Sequence, residues 1–124
     1  MVEFLHMRLR LLISTLVLAG VIALLQDIAL AEYLYWKWWW FDILMHFLGG
    51  VLVGGIGLII SDVLNTPKKI TLLFSLLAIG IGWEVFEWVF GLYDGAWDPV
   101  DTGIDLIMDT LGVLVVYSGV KLWK

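Results

Sequence analysis

Residues 40–61 read WFDILMHFLGGVLVGGIGLIIS, and this stretch decides the fold. It is long enough to cross a bilayer, since about 20 apolar residues in a helix cover roughly 30 Å of hydrocarbon. Yet it carries Asp42 and His46. A carboxylate at the bilayer centre costs roughly 2.5–3.5 kcal/mol even on the lenient insertion scale. The row Asp42, His46, Gly50, Gly54 repeats every four residues. Residues spaced this way share one helix face. Glycines on that face let a second helix come close. The polar pair is therefore expected to face a protein interior and not lipid.

Three further stretches have the same length and character. The spans are read as Arg8–Leu30, Trp40–Ser61, Lys69–Gly91 and Thr102–Leu122, joined by the short connections Ala31–Trp39, Asp62–Lys68 and Leu92–Asp101. Short connections make sequence neighbours antiparallel. The expected architecture is all-α: a polytopic membrane protein with four transmembrane helices in an antiparallel bundle, forming a single domain over residues 1–124. The first stretch also has features of an export signal, with Arg8 and Arg10 before an apolar core and Ala29-Leu30-Ala31 after it. It is read here as a spanning helix.

Composition agrees. Of 124 residues, 62% are apolar and 15% charged, and the mean hydropathy is +1.00. Absence of cysteine excludes disulfides and thiolate ligands. A pI near 4.7 argues against nucleic acid and leaves membrane lipids as the surroundings. Charge placement sets the orientation. With a cytoplasmic N-terminus, one side receives Arg8, Arg10, Lys68, Lys69, Lys121 and Lys124, and the other only Lys37. That asymmetry is the positive-inside signal of a multi-pass protein of the cell (inner) membrane, with both termini cytoplasmic. Ten of the twelve acids fall on the outer half, as do Trp36, Trp38, Trp39, Trp40, Trp83, Trp88 and Trp97. These tryptophans read as an interfacial belt.

The acids repeat the pattern of the second span. Gly80, Glu84, Glu87 and Gly91 step by 4, 3 and 4 in the third span, and Asp105, Asp109, Gly112 and Gly119 by 4, 3 and 7 in the fourth. The second and fourth helices carry their acids early and the third carries them late. At about 1.5 Å per residue, His46, Glu84 and Asp109 fall in one deep layer. Asp42, Glu87 and Asp105 fall one turn nearer water. Gln26 and Asp27 lie at the rim. Five carboxylates and one imidazole form a hard ligand set with one nitrogen, suited to Mn²⁺, Fe²⁺, Zn²⁺, Mg²⁺ or Ca²⁺. Three readings stay open: a divalent-cation site made by Asp42, His46, Glu84, Glu87, Asp105 and Asp109, a wet cavity handling protons or cations, and a structural carboxyl network.

Three segments resemble small bacterial and archaeal membrane proteins of the YjdF-like and VanZ-like groups. They are Phe41-Asp42-Ile43-Leu44-Met45-His46-Phe47, Gly82-Trp83-Glu84-Val85-Phe86-Glu87-Trp88 and Asp105-Leu106-Ile107-Met108-Asp109-Thr110-Leu111-Gly112. VanZ-like proteins usually read Asp-Lys-x-x-His-Phe and Asp-x-x-x-Asn. With Ile43, Asp109 and Glu87, this chain is closer to the YjdF-like side. VanZ-like proteins are associated with glycopeptide resistance. The YjdF-like group is uncharacterised, so the resemblance marks the six residues without supplying a reaction.

Several chemistries are excluded. Ser14, Ser61, Ser75 and Ser118 all fall toward the cytoplasmic half, away from His46, so a serine triad is not built. No lysine or arginine accompanies the acids, so a phosphate would depend on the metal alone. As an enzyme, the chain would perform metal-assisted hydrolysis or transfer on a lipid or cell-wall precursor, with Glu84 or Glu87 as general base. The alternatives are a cation or proton transporter component, which with four helices needs a homo-oligomer, and an accessory protein with a buried carboxyl network. Below His46, Glu84 and Asp109 the stripes turn to glycine and aliphatics, which favours a pocket open on one side. The charge count predicts that Asp94→Cys reacts with a membrane-impermeant thiol reagent added outside. Reaction only from the cytoplasm would overturn the topology.

Overall fold

A computed structural model describes residues 1–92 and 99–120. Asp94, Trp97, Lys121, Leu122 and Lys124, which entered the sequence reading, lie outside the described residues. The elements are α1 (Val2–Ala31), α2 (Leu34–Lys37), α3 (Phe41–Val63), α4 (Lys68–Val89) and α5 (Pro99–Gly119). Three of them, α1, α3 and α4, are long and apolar enough to cross a membrane. The fourth expected span corresponds to α5, which begins at Pro99 and not at Thr102. Proline suits the first helical position, because its missing N–H would be unpaired there anyway. Asp101, read as the end of the preceding connection, therefore sits in the first turn of α5, where an acid suits the helix N-terminus. A short helix, α2, also occupies a connection that carries no helical period in the sequence.

The helix ends explain the tight turns. Tyr33 takes a left-handed conformation (φ 57°) between α1 and α2. Asn65, at φ 51°, reverses the chain between α3 and α4. There the Ser61 hydroxyl donates to the Thr66 carbonyl at 2.6 Å, and the Thr66 N–H donates to the Ser61 carbonyl at 2.9 Å. Gly91, at φ 64°, ends α4 and lets the Leu92 N–H reach back to the Glu87 carbonyl at 2.9 Å.

Helix α3 is the centre of the bundle and touches every other helix, α5 most extensively. Its antiparallel contact with α1 runs from the Arg8–Asp62 ion pair at 2.6 Å to Thr15 against Gly55. Its antiparallel contact with α4 pairs Gly49 with Trp83 and Gly57 with Ser75. Two antiparallel steps make α3 and α5 parallel, and their contacts advance together: Gly50 on Asp109, Gly54 on Val113, Gly57 on Tyr117. The approach is backbone to backbone. A Cβ placed on Gly50 would collide with the Asp109 carbonyl oxygen, and one on Gly112 with the Phe47 carbonyl oxygen. The Gly50 and Gly54 face thus lies against a neighbouring helix, as its period implied. Val113, Met45, Ile79, Trp83, Phe41, Leu34 and Ala29 fill the core around this seam.

Between α4 and α5, toward the Arg8–Asp62 end, lies a hydroxyl group cluster that the aliphatic stripes did not announce. Tyr117 donates to Thr71 Oγ1 at 2.9 Å and sits 3.4 Å from Ser75 Oγ. Gly57 leaves the room for these hydroxyls. The expectation that polarity ends below the acids is therefore corrected. Thr71 and Ser75 are one turn apart on the buried row of α4, and Tyr117 lies two turns beyond Asp109 on α5.

Gly50→Ala and Gly112→Ala should each cost about 1–3 kcal/mol through overpacking, read as a lower melting temperature in detergent. Gly82→Ala, where nothing lies within 4 Å, should be neutral or stabilising by about 0.5–1 kcal/mol. Equal effects at all three would refute the close α3–α5 contact.

Candidate functional site

The parallel run of α3 and α5 sets two i,i+4 pairs side by side. Asp42 and His46 come from the first turns of α3, Asp105 and Asp109 from α5, and Glu87 from the last turn of the antiparallel α4. His46 is the hub and is 2% exposed. Its Nδ1 lies 2.8 Å from Asp109 Oδ1, and Asp109 is equally buried. Its Nε2 faces Asp105 Oδ1 at 3.4 Å, Asp42 Oδ1 at 3.6 Å and Glu87 Oε1 at 3.7 Å. Ligand atoms of Asp42, His46, Glu87 and Asp105 all fall within 4.8 Å of one another.

The ring cannot turn aside. The Trp83 indole lies against it, with centroids 4.3 Å apart, and the indole edge rests where Gly49 has no side chain. Trp83 was expected in the interfacial belt, but it is buried. Trp36, Trp38, Trp39, Trp40 and Trp88 are exposed, as a belt requires. Trp83 continues the buried row Thr71, Ser75, Ile79 of α4, whose period of four was legible in the sequence.

That row also explains Glu84. The helix turns Trp83 toward α3, so Glu84, about 100° further round, is exposed. The structure brings Asp42, His46, Glu87, Asp105 and Asp109 together and leaves Glu84 outside. The expected layer of His46, Glu84 and Asp109 is corrected to His46 and Asp109 alone. The glycines beside Glu84 mark an open face and not a packed one, since Gly82 has no neighbour within 4 Å.

The family model described as "Predicted membrane protein (DUF2238)" matches residues 2–124. The protein is a member of the DUF2238 family. No curated protein and no solved structure was found to match it. The family description places this DUF2238 protein in the membrane, and the site geometry must carry the rest.

The α1–α2 side of the site adds two residues. The Tyr35 hydroxyl donates to Gln26 Oε1 at 2.5 Å. Burial, then the charges of Asp42 and Glu87, push the Tyr35 phenol far above its ordinary range, so it stays a donor. Gln26 was expected at the rim and is buried, whereas Asp27 is exposed. Tyr35 lies in a connection where no period pointed inward. Its edge-on contact with Phe41, with centroids 5.1 Å apart, ties α2 to the start of α3. His6, at the other end of α1, is exposed.

The arrangement gathers four carboxylates around one imidazole. Among the described residues, the only lysine or arginine of this half is Lys37, exposed on α2. Positive charge for the group must come from bound protons or from a cation.

Tyr35→Phe should lower stability by about 1–3 kcal/mol, because the buried Gln26 carbonyl loses its donor. Thermal unfolding of the two proteins in one detergent measures it. An unchanged melting temperature would show that Tyr35 and Gln26 are not joined.

Proposed function

We propose that this DUF2238 protein is a multi-pass protein of the inner membrane that holds one divalent cation at its outer face. In this reading α1, α3, α4 and α5 all cross the bilayer, both termini are cytoplasmic, and Asp42, His46, Glu87 and Asp105 supply the ligand atoms. The likeness to the YjdF-like group, on the segments 41–47, 82–88 and 105–112, is part of the same reading.

One observation carries it. His46 Nε2 and Asp105 Oδ1 are buried, face each other and have no hydrogen-bond partner among the described residues. Their separation of 3.4 Å, and those of 3.6 and 3.7 Å to Asp42 and Glu87, exceed the roughly 2.7–2.9 Å of a charge-assisted hydrogen bond. Two donor atoms each about 2.1 Å from one ion at a tetrahedral angle stand roughly 3.4 Å apart. The spacing suits a shared cation better than a shared proton. A cation there would polarise an ester or phosphoryl oxygen, or a water, of a lipid or cell-wall precursor.

The packing below the site supports a pocket open on one side over a transport path. Val113 and Leu58 are fully buried, and with Gly50, Gly54 and Ile79 they separate Asp109 from the Tyr117 hydroxyls by about 12 Å along α5.

Chelator should lower the melting temperature of the cation-loaded protein. A ligand at 100 times its Kd adds about 2.7 kcal/mol to stability. Asp105→Asn should abolish the chelator effect. A melting temperature that ignores chelator and added Mn²⁺, Zn²⁺, Mg²⁺ and Ca²⁺ would defeat the reading and leave a structural carboxyl network.

A further inference from the structure

Resting on that divalent-cation reading, we infer that the site selects a nitrogen-accepting first-row transition ion (Mn²⁺, Fe²⁺, Co²⁺ or Zn²⁺) over Mg²⁺ and Ca²⁺, and that Asp109 is not a ligand but the residue that aims His46 at the ion. The first half follows from where the imidazole sits. Three helices each direct one carboxylate oxygen at a single point, and His46 Nε2 occupies that point. The side chain is 2% exposed, and Nε2 has no hydrogen-bond partner among the described residues. An ion that met only oxygens would have to displace this nitrogen. Trp83 against one side of the ring and Asp109 on its other nitrogen prevent that. Ca²⁺ takes 6–8 oxygen ligands, and Mg²⁺ keeps an octahedron of oxygens, several of them from water. Imidazole suits iron, zinc and their neighbours.

The second half follows from the ring's two edges. Asp109 Oδ1 meets Nδ1 at 2.8 Å, in a buried bond. A carboxylate only accepts, so Nδ1 carries the hydrogen. A neutral imidazole then has its lone pair on Nε2, the atom that faces Asp42, Glu87 and Asp105. Asp109 is thereby on the edge of the ring opposite the ligand point. Its backbone is fixed too, because its carbonyl oxygen is pressed against Gly50. Histidines that bind metals commonly donate their other N–H to such a carboxylate, and loss of that partner costs about 10–100-fold in affinity.

The test uses the full chain in detergent, stripped of metal and titrated calorimetrically with Mn²⁺, Co²⁺, Zn²⁺, Mg²⁺ and Ca²⁺ separately. Pulsed electron paramagnetic resonance of the Mn²⁺-loaded protein reports any directly bound nitrogen through its ¹⁴N coupling. The transition ions should bind at least about tenfold more tightly than Mg²⁺ and Ca²⁺. The ¹⁴N coupling should survive His6→Gln, which alters the other histidine of the chain, and vanish in His46→Gln. Asp109→Asn should weaken transition-ion binding about 10–100-fold while Mg²⁺ and Ca²⁺ binding changes little. Equal affinity for all five ions, without ¹⁴N coupling in the His6→Gln protein, overturns the selectivity but leaves the cation site. That measurement needs no change at the site, so it decides even if the His46 and Asp109 variants do not fold. Asp109→Asn weakening every ion alike overturns the positioning role. No binding of any ion overturns both this inference and the function proposed above.

Discussion

The parallel seam between α3 and α5 is the constraint on which the rest of the molecule depends. Gly50 and Gly112 bring two backbones into contact, which no side chain larger than hydrogen permits there. In hydrocarbon, helices gain little from burying apolar side chains against each other, because lipid is equally apolar. Close van der Waals packing and interhelical polar contacts hold them instead. Contact at this range fixes both rotation and register. It puts Asp109 level with His46 and Asp105 level with Asp42, since both pairs step by four residues in the same direction. Helix α4 runs the other way and adds Glu87 from its end. A displacement of the seam by one residue would turn each carboxylate by about 100° and empty the point that His46 Nε2 now occupies.

The seam therefore does electrostatic work as well as packing. Four carboxylates beside one imidazole repel one another, and the surrounding wall of Met45, Trp83, Phe41 and Val113 offers no counter-charge. Bound protons or a cation must balance such a group, and the packing of α3 against α5 holds it together. The bond from Asp109 to the imidazole belongs to both systems. Its backbone is part of the seam and its side chain is part of the site.

Much of this was legible in the sequence, and the failures have physical reasons. Rows of four with interleaved glycine located the inward faces of α3 and α5, because Gly50, Gly54 and Gly112 are packed against backbone, although Gly119 at the end of the α5 row meets nothing within 4 Å. The same rule failed on α4. Gly80 meets only Leu106 at 3.9 Å, so the face it shares with Glu84 is loosely packed and Glu84 is exposed, while Glu87 follows Trp83 inward. The inward row of α4 is Thr71, Ser75, Ile79 and Trp83, with two hydroxyls and an indole that composition alone assigns to turns and interfaces. Glycine announces a close approach only when something approaches, and the sequence of one helix does not contain its partner. Tyr35 was hidden for a related reason. A four-residue helix is too short to show a period, and its inward direction is set by the left-handed Tyr33 and by Phe41.

The two polar layers differ in a way that bears on direction. Near Asp62 and Arg8, Tyr117, Thr71 and Ser75 are neutral groups that satisfy one another, and Thr71 also donates to the Lys68 carbonyl at 3.1 Å. Their hydrogen bonds close within the bundle and ask for nothing further. The layer at His46 does not close, since His46 Nε2, Trp83 Nε1 and Asp105 Oδ1 have no hydrogen-bond partner among the described residues. Apolar packing at Val113, Leu58 and Ile79 lies between the two. A path through the bundle would need groups that can pass an ion or a proton onward at each step, and this middle layer has none among the described residues. The two layers thus differ in kind: the hydroxyl layer is closed by its own hydrogen bonds, and the acidic layer, separated from it by aliphatic packing, is not.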